Sequence, residues 1–457
     1  MQKEAEQIHE ASLKLLAEPG IKIDHQPIRE RLLKAGAKPG ATNDTIKIPR
    51  ELISEYMSLC PPEVHLANRS GGGKVITARG ESAIWSVPGL NLYQEGLRRP
   101  FTSKDMANIS RLMENLNQVD GVFGMAMADI TPNIRDVVGL RIMAENTTKH
   151  IRVLCFTPAG ADCLMEMKKA IGAHPWFSVG FTAHGPLRWT SLALEIFERT
   201  AGEGVPATIN GEPMAGVSGP ITLAGSAAVG NAEILAGIVI NQLLEPGRPC
   251  IYNLGLAHTF DMQTLIAVTG GPENALYAKI SAAMGRFYNI PSASWVSTES
   301  ICVDSQAALE KMFGFHTHLD SGVTNIWGVG QLESELTISP AQAVIDNEMI
   351  AYNKRYLRGV EINDETLALD TIREVGISGS FLGTTHTAEN FREELFFPSV
   401  LNRLTYEGWQ AKGGKTLAEQ AESTAQELMA KPMPSTLTND QAAELKRLED
   451  AFARRTE

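Results

Sequence analysis

The chain has 457 residues, of which 41 are Lys or Arg and 53 are Asp or Glu, giving a net charge of −12. This acidic balance argues against nucleic-acid binding and against electrostatic attachment to anionic lipid, because both need a basic face. Hydrophobic residues make up 43% and charged residues 21%, as in globular proteins with a substantial core. No run of 18 apolar residues predicts a membrane helix, and the N-terminal residues lack the apolar segment of a signal peptide.

The cysteines favour a reduced, cytoplasmic location. There are five of them, an odd number, and none forms a Cys-x-x-Cys motif. They are Cys60, Cys155, Cys163, Cys250 and Cys302.

The first 120 residues differ from the rest in their pattern of apolar residues and glycines. Apolar residues at helical spacing predict helices over 2–17 and 27–36, and the segment IKIPRELISEYMSLCPP predicts a short strand followed by a helix. Short apolar runs interrupted by glycine over 63–97 are typical of hairpins. We therefore predict that residues 1–120 form a cap of helices and hairpins.

From residue 121 a repeat of short apolar segments begins, with helical stretches between them. The segments are 121–129, 150–158, 177–186, 206–215, 249–258, 291–300, 323–334 and 376–387. Strand starts about 25–50 residues apart are typical of βα units. Eight such units in series predict an α/β protein with a (β/α)₈ TIM barrel over 121–410. An open, doubly wound sheet is the alternative, although no Gly-x-Gly-x-x-Gly motif follows the first segment.

The tail, 411–457, contains two charged stretches with apolar residues at i, i+3 and i+4. This pattern predicts two C-terminal helices. They either pack on the outside of the barrel or serve as an interaction surface.

In a TIM barrel the active site lies at the C-terminal ends of the strands, and polar and aromatic residues collect there in this sequence. Alternation along a strand places Trp295, Ser297 and Glu299 on one face, and Trp327 and Gln331 on one face. The other candidates at the predicted rim are His184, Glu212, His258 and His386. For each single residue, capping a strand or holding a loop is the alternative role.

Tryptophan and tyrosine residues fall near the predicted strand ends, and aromatic faces are how proteins hold quaternary ammonium ions. The candidates are Tyr93, Trp189, Trp295 and Trp327, with Trp85 in the same class. Packing is the alternative role for each of them.

Metal-site signals are weak. His316 and His318 are two positions apart in a predicted helix, which points their rings in different directions. The cysteines lie near no histidine cluster. We therefore predict that no metal is bound.

Several segments resemble the trimethylamine:corrinoid methyltransferase family. They include PMAGVSGPITLAGSAAVGNAEILAGIVINQLLEPGRPCIY (213–252), DSQAALEKM (304–312), IWGVGQLES (326–334) and AQAVIDNEM (341–349). LAEPGIKI and IKIPRELI resemble the N-terminal region of the family. The resemblance implies a barrel enzyme that moves a methyl group from a methylated amine to the Co(I) corrinoid carried by a separate small protein, with no tightly bound cofactor of its own.

The founding members carry pyrrolysine at the end of the sixth strand, and the matching stretch here, PSASWVSTESICVDSQAALEKM, holds Ser297 or a neighbour at that position. The resemblance therefore implies the pyrrolysine-free branch. Members of that branch demethylate quaternary amines such as glycine betaine, proline betaine, carnitine and butyrobetaine. Glycine betaine is the first expectation.

A quaternary nitrogen needs no protonation, so such a site needs only orientation, an aromatic seat and a group for the substrate carboxylate. His386, Glu212 and Ser297 are the candidates for catalytic roles, with His386 as the first candidate for the carboxylate. Tyr93, His184, Trp189, His258, Trp295, Trp327 and Gln331 are the candidates for substrate binding. A barrel lyase or aldolase with a rim carboxylate as base, and a non-catalytic betaine-binding protein, are the competing interpretations. A homo-oligomer is compatible with all of them.

Overall fold

The computed structural model describes residues 2–433 and 436–456. Its centre is a closed barrel of eight strands, and all pairings between neighbouring strands are parallel. In chain order the barrel strands are β1 (Ala83–Ser86), β2 (Gly121–Phe123), β3 (His150–Arg152), β4 (Phe177–Thr182), β5 (Ala207–Asn210), β6 (Cys250–Gly255), β7 (Ser292–Trp295) and β8 (Asn325–Val329). The predicted α/β fold with a TIM barrel is confirmed.

Each barrel strand is followed by an outer helix, so the chain alternates strictly around the barrel. The helices of the described residues are Gln2–Ala17, Gln26–Lys34, Arg50–Met57, Ser103–Asn115, Arg135–Asn146, Pro158–Ile171, Ser191–Arg199, Leu223–Leu244, Pro272–Tyr288, Ser305–Ser321, Pro340–Arg358, Asp364–Leu367, Leu369–Val375, Thr385–Glu394, Tyr406–Ala411, Leu417–Ala430 and Asn439–Thr456. The strands outside the barrel are Ile21–Ile23, Lys38–Pro39, Thr45–Lys47, Glu63–Ala67, Gly73–Thr77, Asn91–Gln94, Leu97–Pro100, Arg188–Trp189, Met214–Ala215, His258–Asp261, Ile266–Val268, Gln331–Leu332 and Thr337–Ile338.

Local sequence signals fix where several outer helices begin and end. The side chain of Asp304 accepts a hydrogen bond from the backbone N–H of Ala307, as expected for the N-cap of helix Ser305–Ser321. The same helix ends at Gly322, whose φ of +75° is a left-handed conformation that glycine adopts without strain.

The prediction that the barrel begins near residue 121 is wrong. The first barrel strand, β1, lies inside the region predicted as a cap, and it pairs with β8 on one side and with β2 on the other. The segment AIWS is only four residues long and lies among glycine-rich hairpins, so its sequence alone does not separate it from them.

The predicted eighth strand, 376–387, is also wrong. This segment forms no strand, and it leads into the helix Thr385–Glu394, which contains no buried residue. Because β1 already completes the barrel, the chain after Arg358 has no position left in it.

A hairpin closes the N-terminal end of the barrel. Its strands, Glu63–Ala67 and Gly73–Thr77, bring Val64, Leu66 and Ile76 into one apolar cluster with residues of the barrel interior. The ring of His150, at the start of β3, lies 2.8 Å from the carbonyl oxygen of Ala67 through Nδ1. Since this end is filled, the open end is the one where the strands terminate.

The helix Leu223–Leu244 is long and apolar enough to cross a membrane by length and composition alone, although polar residues such as Asn231 and Glu233 interrupt its apolar sequence. It packs between the barrel and the N-terminal helices Gln2–Ala17 and Arg50–Met57, and 72% of its most apolar window is buried. Its apolar composition therefore reflects contact on both sides with the protein's own core.

The tail after residue 410 contains the two predicted C-terminal helices. Leu417–Ala430 packs on helices Pro340–Arg358 and Ser103–Asn115, and Asn439–Thr456 packs on Pro158–Ile171 and Arg135–Asn146. Both helices lie on the outside of the barrel.

Candidate active site

The barrel interior is lined by aromatic rings contributed by β8, β1 and β2. The indoles of Trp85 and Trp327 are nearly parallel, at 6° with centroids 6.3 Å apart, and the ring of Phe123 meets Trp327 edge-on at 5.2 Å. Gly121 makes room for this arrangement, because a Cβ there would lie 2.5 Å from Cδ1 of Trp85. Trp85 is fully buried, whereas Trp327 and Phe123 each keep 3% exposure, so Trp85 forms the floor beneath the other two.

Trp295, at the end of β7, pairs in register with Trp327 on β8. With the amide of Asn274 oriented to satisfy both groups, its oxygen accepts a hydrogen bond from Nε1 of Trp295 at 2.8 Å and its nitrogen donates to the carbonyl oxygen of Trp295 at 3.0 Å. The ring of His258 lies 6.3 Å from the Trp295 ring. The orientation of Trp295 is therefore fixed by its neighbours, whereas Nε1 of Trp327 has no hydrogen-bond partner among the residues that the structure describes.

Arg152, the last residue of β3, places a guanidinium group inside the barrel. Its Cζ lies 5.1 Å from the centroid of the Phe123 ring, and Nη1 donates to the carbonyl oxygen of Val153 at 2.7 Å. Nε is buried without a partner, and among the described residues no carboxylate forms an ion pair with this cation. Burial lowers the pKa of Arg152 to about 9. The site thus holds a buried, uncompensated positive charge next to aromatic rings.

A chain of hydrogen bonds crosses the opposite wall on β4, β5 and β6. Nδ2 of Asn253 donates to Oδ1 of Asn210 at 2.9 Å, and Nδ2 of Asn210 donates to Oγ1 of Thr182 at 3.0 Å. Oδ1 of Asn253 is buried and accepts no hydrogen bond from residues 2–433 or 436–456. This wall therefore offers a free acceptor to a polar group inside the barrel.

Three carboxyl groups lie close enough at the open end to influence one another. Burial raises the pKa of Glu212 to about 7, and it raises the pKa of Glu335 well above the usual range with a further contribution from Glu212. Burial also raises the pKa of Glu233 to about 8, again with a contribution from Glu212. Near neutral pH, protonated forms of these acids are therefore present at the open end.

Glu335 belongs to the turn between the short strands Gln331–Leu332 and Thr337–Ile338, which follow β8. Glu333, Ser334 and Glu335 all have positive φ angles, of 55°, 48° and 76°. Three consecutive non-glycine residues in this region are strained, and such strain concentrates at functional sites.

The hydroxyl and carboxylate groups after β7 hold a loop. Oγ of Ser297 lies 2.6 Å from Oγ1 of Thr269, and Oε1 of Glu299 accepts hydrogen bonds from the backbone N–H groups of Thr269 and Gly270 at 2.6 and 2.7 Å. Oε1 of Gln331 likewise accepts from the N–H of Thr298 at 2.9 Å. Ser297 and Gln331 are thus engaged by the protein itself.

An ion pair between two outer helices supports the end of β8. Nζ of Lys311 lies 2.6 Å from Oδ2 of Asp346, and neither side chain is exposed. Nζ also donates to the carbonyl oxygens of Gly328 and Gln331, at 2.7 and 3.1 Å. This pair holds the backbone that follows Trp327.

Three other predicted binding residues lie outside the aromatic cluster. Trp189 is fully buried on the flank, where Nε1 donates to the carbonyl oxygen of Glu233 at 3.2 Å and the ring packs against Phe197. Tyr93 lines an outer groove beside helix Leu417–Ala430. His184 is exposed in the loop after β4.

The sequence analysis predicts His386 at the open end of the barrel, and this prediction is wrong. His386 is in helix Thr385–Glu394, and its ring contacts Asn390 of the same helix. Arg355 and Arg358, in the last turn of helix Pro340–Arg358, donate to the backbone carbonyls of Glu394 and Glu393, so His386 lies by the far end of that helix. The cause is the misassigned eighth strand.

Among residues 2–433 and 436–456, no group of three or more His, Cys, Asp or Glu side chains is arranged to hold a metal ion. The described cysteines are free thiols, and Sγ of Cys60 and Sγ of Cys250 lie 3.8 Å apart without a bond. The absence of a bound metal stays a prediction.

Sequence reasoning missed Arg152, Phe123 and Glu233 as members of the site. The signal for Arg152 was present, since a charged residue inside the apolar segment HIRVLCF is buried by its strand and needs a reason to be there.

Comparison with known proteins decides the family. A model of the family described as trimethylamine methyltransferase (MTTB) matches residues 1–457. The chain belongs to this family. It is therefore a methyltransferase, and the family predicted from sequence segments is confirmed.

The curated relatives match over nearly the full chain. A trimethylamine methyltransferase, MttB, of Desulfitobacterium hafniense is 30% identical over 96% of this chain and 90% of its own length. A glycine betaine methyltransferase of Desulfitobacterium hafniense strain Y51 is 28% identical over 97% of this chain and 94% of its own length. Among solved structures, the monomethylamine methyltransferase MtmB of Methanosarcina barkeri has a TM-score of 0.55 at 13% identity, covering 93% of this chain and 87% of that one. That likeness shows the shared fold.

Proposed function

We propose that this methyltransferase transfers one methyl group from a quaternary amine that carries a carboxylate, glycine betaine first, to the Co(I) corrinoid of a separate small protein. The relatives are named for trimethylamine and for glycine betaine, so family membership leaves the choice of amine open. The observation that carries the proposal is the buried, unpaired guanidinium of Arg152 next to the aromatic cluster.

Trp327 and Trp295 are assigned to the trimethylammonium group. Their rings come from neighbouring strands, and each keeps 3% exposure in an otherwise closed interior. A cation over an aromatic face gains about 0.5–2 kcal/mol, with the larger values in desolvated sites. Because aromatic rings form this side of the interior, they shield the methyl groups from water.

Arg152 is assigned to the carboxylate, in place of His386. Its fork of N–H donors suits bidentate binding of a carboxylate, and Nε is buried without a partner. An amine cation without a carboxylate would instead be repelled by this charge in a desolvated interior. The choice between a betaine and trimethylamine therefore depends on this residue.

The remaining residues complete the binding site. Asn253 offers its unpaired Oδ1 on the opposite wall, and His258 lies against Trp295. Ser297, which stands near the position that pyrrolysine occupies in the founding members, positions the loop at Thr269 through its hydroxyl group. Oγ1 of Thr269 in turn donates to Oε1 of Glu299 at 3.0 Å, so the Ser297 hydroxyl belongs to a network that holds the loop.

The chemistry requires little more from the chain. The corrinoid acceptor supplies a strongly nucleophilic cobalt, and the methyl carbon leaves nitrogen while the electrons of the C–N bond stay on nitrogen. The product is therefore a neutral tertiary amine. Glu212, whose pKa is raised to about 7 at the open end, can supply the proton that this amine takes up on departure. We place the protein in the cytoplasm, where free thiols such as those of its cysteines persist.

The test is methyl transfer to reduced cobalamin in the presence of a panel of methylated amines, followed by the loss of the Co(I) absorption. We expect turnover with glycine betaine and release of dimethylglycine, with proline betaine, carnitine and butyrobetaine as further arms. Transfer from trimethylamine with none from any betaine would overturn the substrate assignment. Turnover of a betaine without any cobalamin would overturn the assignment of the corrinoid as the methyl acceptor.

A further inference from the structure

The segment 359–399, here called the arm, contains no buried residue although it is folded into helices. Its helices Asp364–Leu367, Leu369–Val375 and Thr385–Glu394 are 4, 7 and 10 residues long. Isolated helices shorter than about 12–15 residues are marginal in water, because most helix stability in proteins comes from burial of an apolar face. The arm therefore needs a surface to pack on that its own chain does not supply.

The composition of the arm shows what kind of surface it needs. Ten of its large apolar side chains are at least 43% exposed, and Ile377, Leu382 and Val360 reach 102%, 86% and 78%. Such side chains carry on the order of 150–200 Å² each, so together they leave roughly 1,000 Å² of apolar surface in water. A typical monomer exposes patches of about 300–600 Å², and a stable interface buries about 800 Å² on each partner.

A complementary groove lies on the outer wall of the barrel, between helices Ser305–Ser321 and Pro340–Arg358. Leu309, Met312, Phe313, Tyr352 and Tyr356 line it. Leu309 and Tyr356 are 73% and 67% exposed, although both lie on helices that otherwise pack against the barrel. At the end of the groove beside Arg358, Arg355 and Arg358 already bond Glu394 and Glu393 of their own arm, so the part of the groove open to a second copy is its apolar stretch.

We propose that the arm of one copy of this chain packs into the groove of a second copy, and that the second copy returns the same contact. Reciprocal use of one patch by both subunits is the isologous arrangement of a two-fold dimer. The arm and the groove belong to the same chain and meet where Phe396 contacts Tyr352, with ring centroids 5.2 Å apart. If each copy packs its arm into the groove of the other copy, the apolar side chains of the arm and of the groove are buried in the same contact.

The corrinoid protein is not the occupant that the geometry favours. Helix Pro340–Arg358 begins beside the hairpin at the open end of the barrel and runs 19 residues before the arm starts. At about 1.5 Å per residue, this places the start of the arm, just after Arg358, roughly 28 Å from the open end, where a corrinoid has to reach the substrate.

The test is analytical ultracentrifugation of the full chain at micromolar concentration, without substrate or corrinoid protein. We expect the wild type to sediment as a dimer or a higher even assembly. The double variant Ile377→Asp/Leu382→Asp should weaken association by about tenfold or more, because each charge would be buried in an apolar contact. Leu192→Asp is the matched control, since Leu192 is a 53% exposed leucine on another outer helix, and it should leave association unchanged.

The groove variant Leu309→Asp tests the other half of the contact with the arm unaltered. It should weaken association to a similar extent, and amide hydrogen exchange across 359–399 should become fast. A monomeric wild type would overturn the proposal, as would association that both variants leave intact. Binding of the arm to the corrinoid protein alone, with no self-association, would identify a different occupant and also overturn it. None of these results depends on which amine is the substrate.

Discussion

Replacement of Arg152 should weaken substrate binding without lowering the stability of the fold, because Arg152 is a buried charge with no ion-pair partner among the described residues. In Arg152→Met a betaine carboxylate loses its charged donors, and a hydrogen bond to a charged group is worth about 1.5–3 kcal/mol. We therefore expect the Michaelis constant for glycine betaine to rise roughly 10- to 150-fold. Arg152→Lys should recover only part of this, since a lysine cannot bind both oxygens in the fork geometry.

The same substitution should not destabilise the fold as core substitutions usually do. Burial lowers the pKa of Arg152 from 12.5 to about 9. At 1.36 kcal/mol per unit, keeping this charge costs roughly 4–5 kcal/mol of folding free energy, so its removal should offset the lost packing against Phe123. We expect the free energy of unfolding in urea to stay level or to rise by as much as a few kcal/mol.

Arg248 provides the matched control, since it is also fully buried and stacks on aromatic rings. It donates to the carbonyl oxygen of Val205 and to Oγ1 of Thr200 before the start of β6, away from the open end. Burial also lowers the pKa of Arg248, to about 10, so Arg248→Met is a control for binding alone and should leave the Michaelis constant unchanged. The reasoning fails if Arg152→Met binds betaine normally, or if it lowers the free energy of unfolding by several kcal/mol.

Three further outcomes follow from the contacts at the site. Trp327→Leu should weaken betaine binding by about 0.5–2 kcal/mol, or several-fold in the Michaelis constant, whereas Trp189→Leu should leave it unchanged; equal effects would contradict the assignment of the seat. Because the pKa of Glu233 is raised from 4.5 to about 8, the folded state holds a proton that the unfolded state releases, so the unfolding free energy should fall between about pH 4.5 and pH 8. In Glu233→Gln this part of the pH dependence should disappear from urea titrations, and a curve identical to the wild type would refute the shift. Lys311→Met should cost about 3–5 kcal/mol by leaving Asp346 uncompensated, and adding Asp346→Leu should recover most of it; a double variant as unstable as the single one would contradict this explanation.

The repeat of apolar segments predicted most of the fold. Seven of the eight predicted segments contain a barrel strand, because strands buried on both faces are apolar throughout and stand out from the amphipathic helices between them. The exception follows from closure. β1 is only four residues long and lies among glycine-rich hairpins, and its partner β8, which closes the barrel, is distant in sequence, so nothing local identifies β1 as a barrel strand.

The sequence predicted the aromatic residues of the candidate site, Trp295 and Trp327, but not its charged residue, Arg152. Trp295 and Trp327 end segments with clear strand character, so their place inside the barrel follows from alternation. The predicted place of His386 at the open end depends on a strand over 376–387, and that segment forms no strand. Beyond Gly328 and Gly330, with φ angles of +126° and +87°, alternation also fails, which explains why Gln331 bonds to backbone instead of lining the interior with Trp327.

The position of β1 in the barrel determines which groups lie next to one another in the candidate site. With β1 between β8 and β2, Trp85 lies beneath Trp327, and Phe123 connects that pair to Arg152 on β3. The aromatic surface and the guanidinium therefore follow one another around the wall. A ligand that satisfies both needs a cationic apolar group and an anionic group joined by a short link. A methylated amine without the anion would fill the aromatic half but leave Arg152 uncompensated, and this is the physical argument behind our proposal of a zwitterion, not a simple cation, as the substrate.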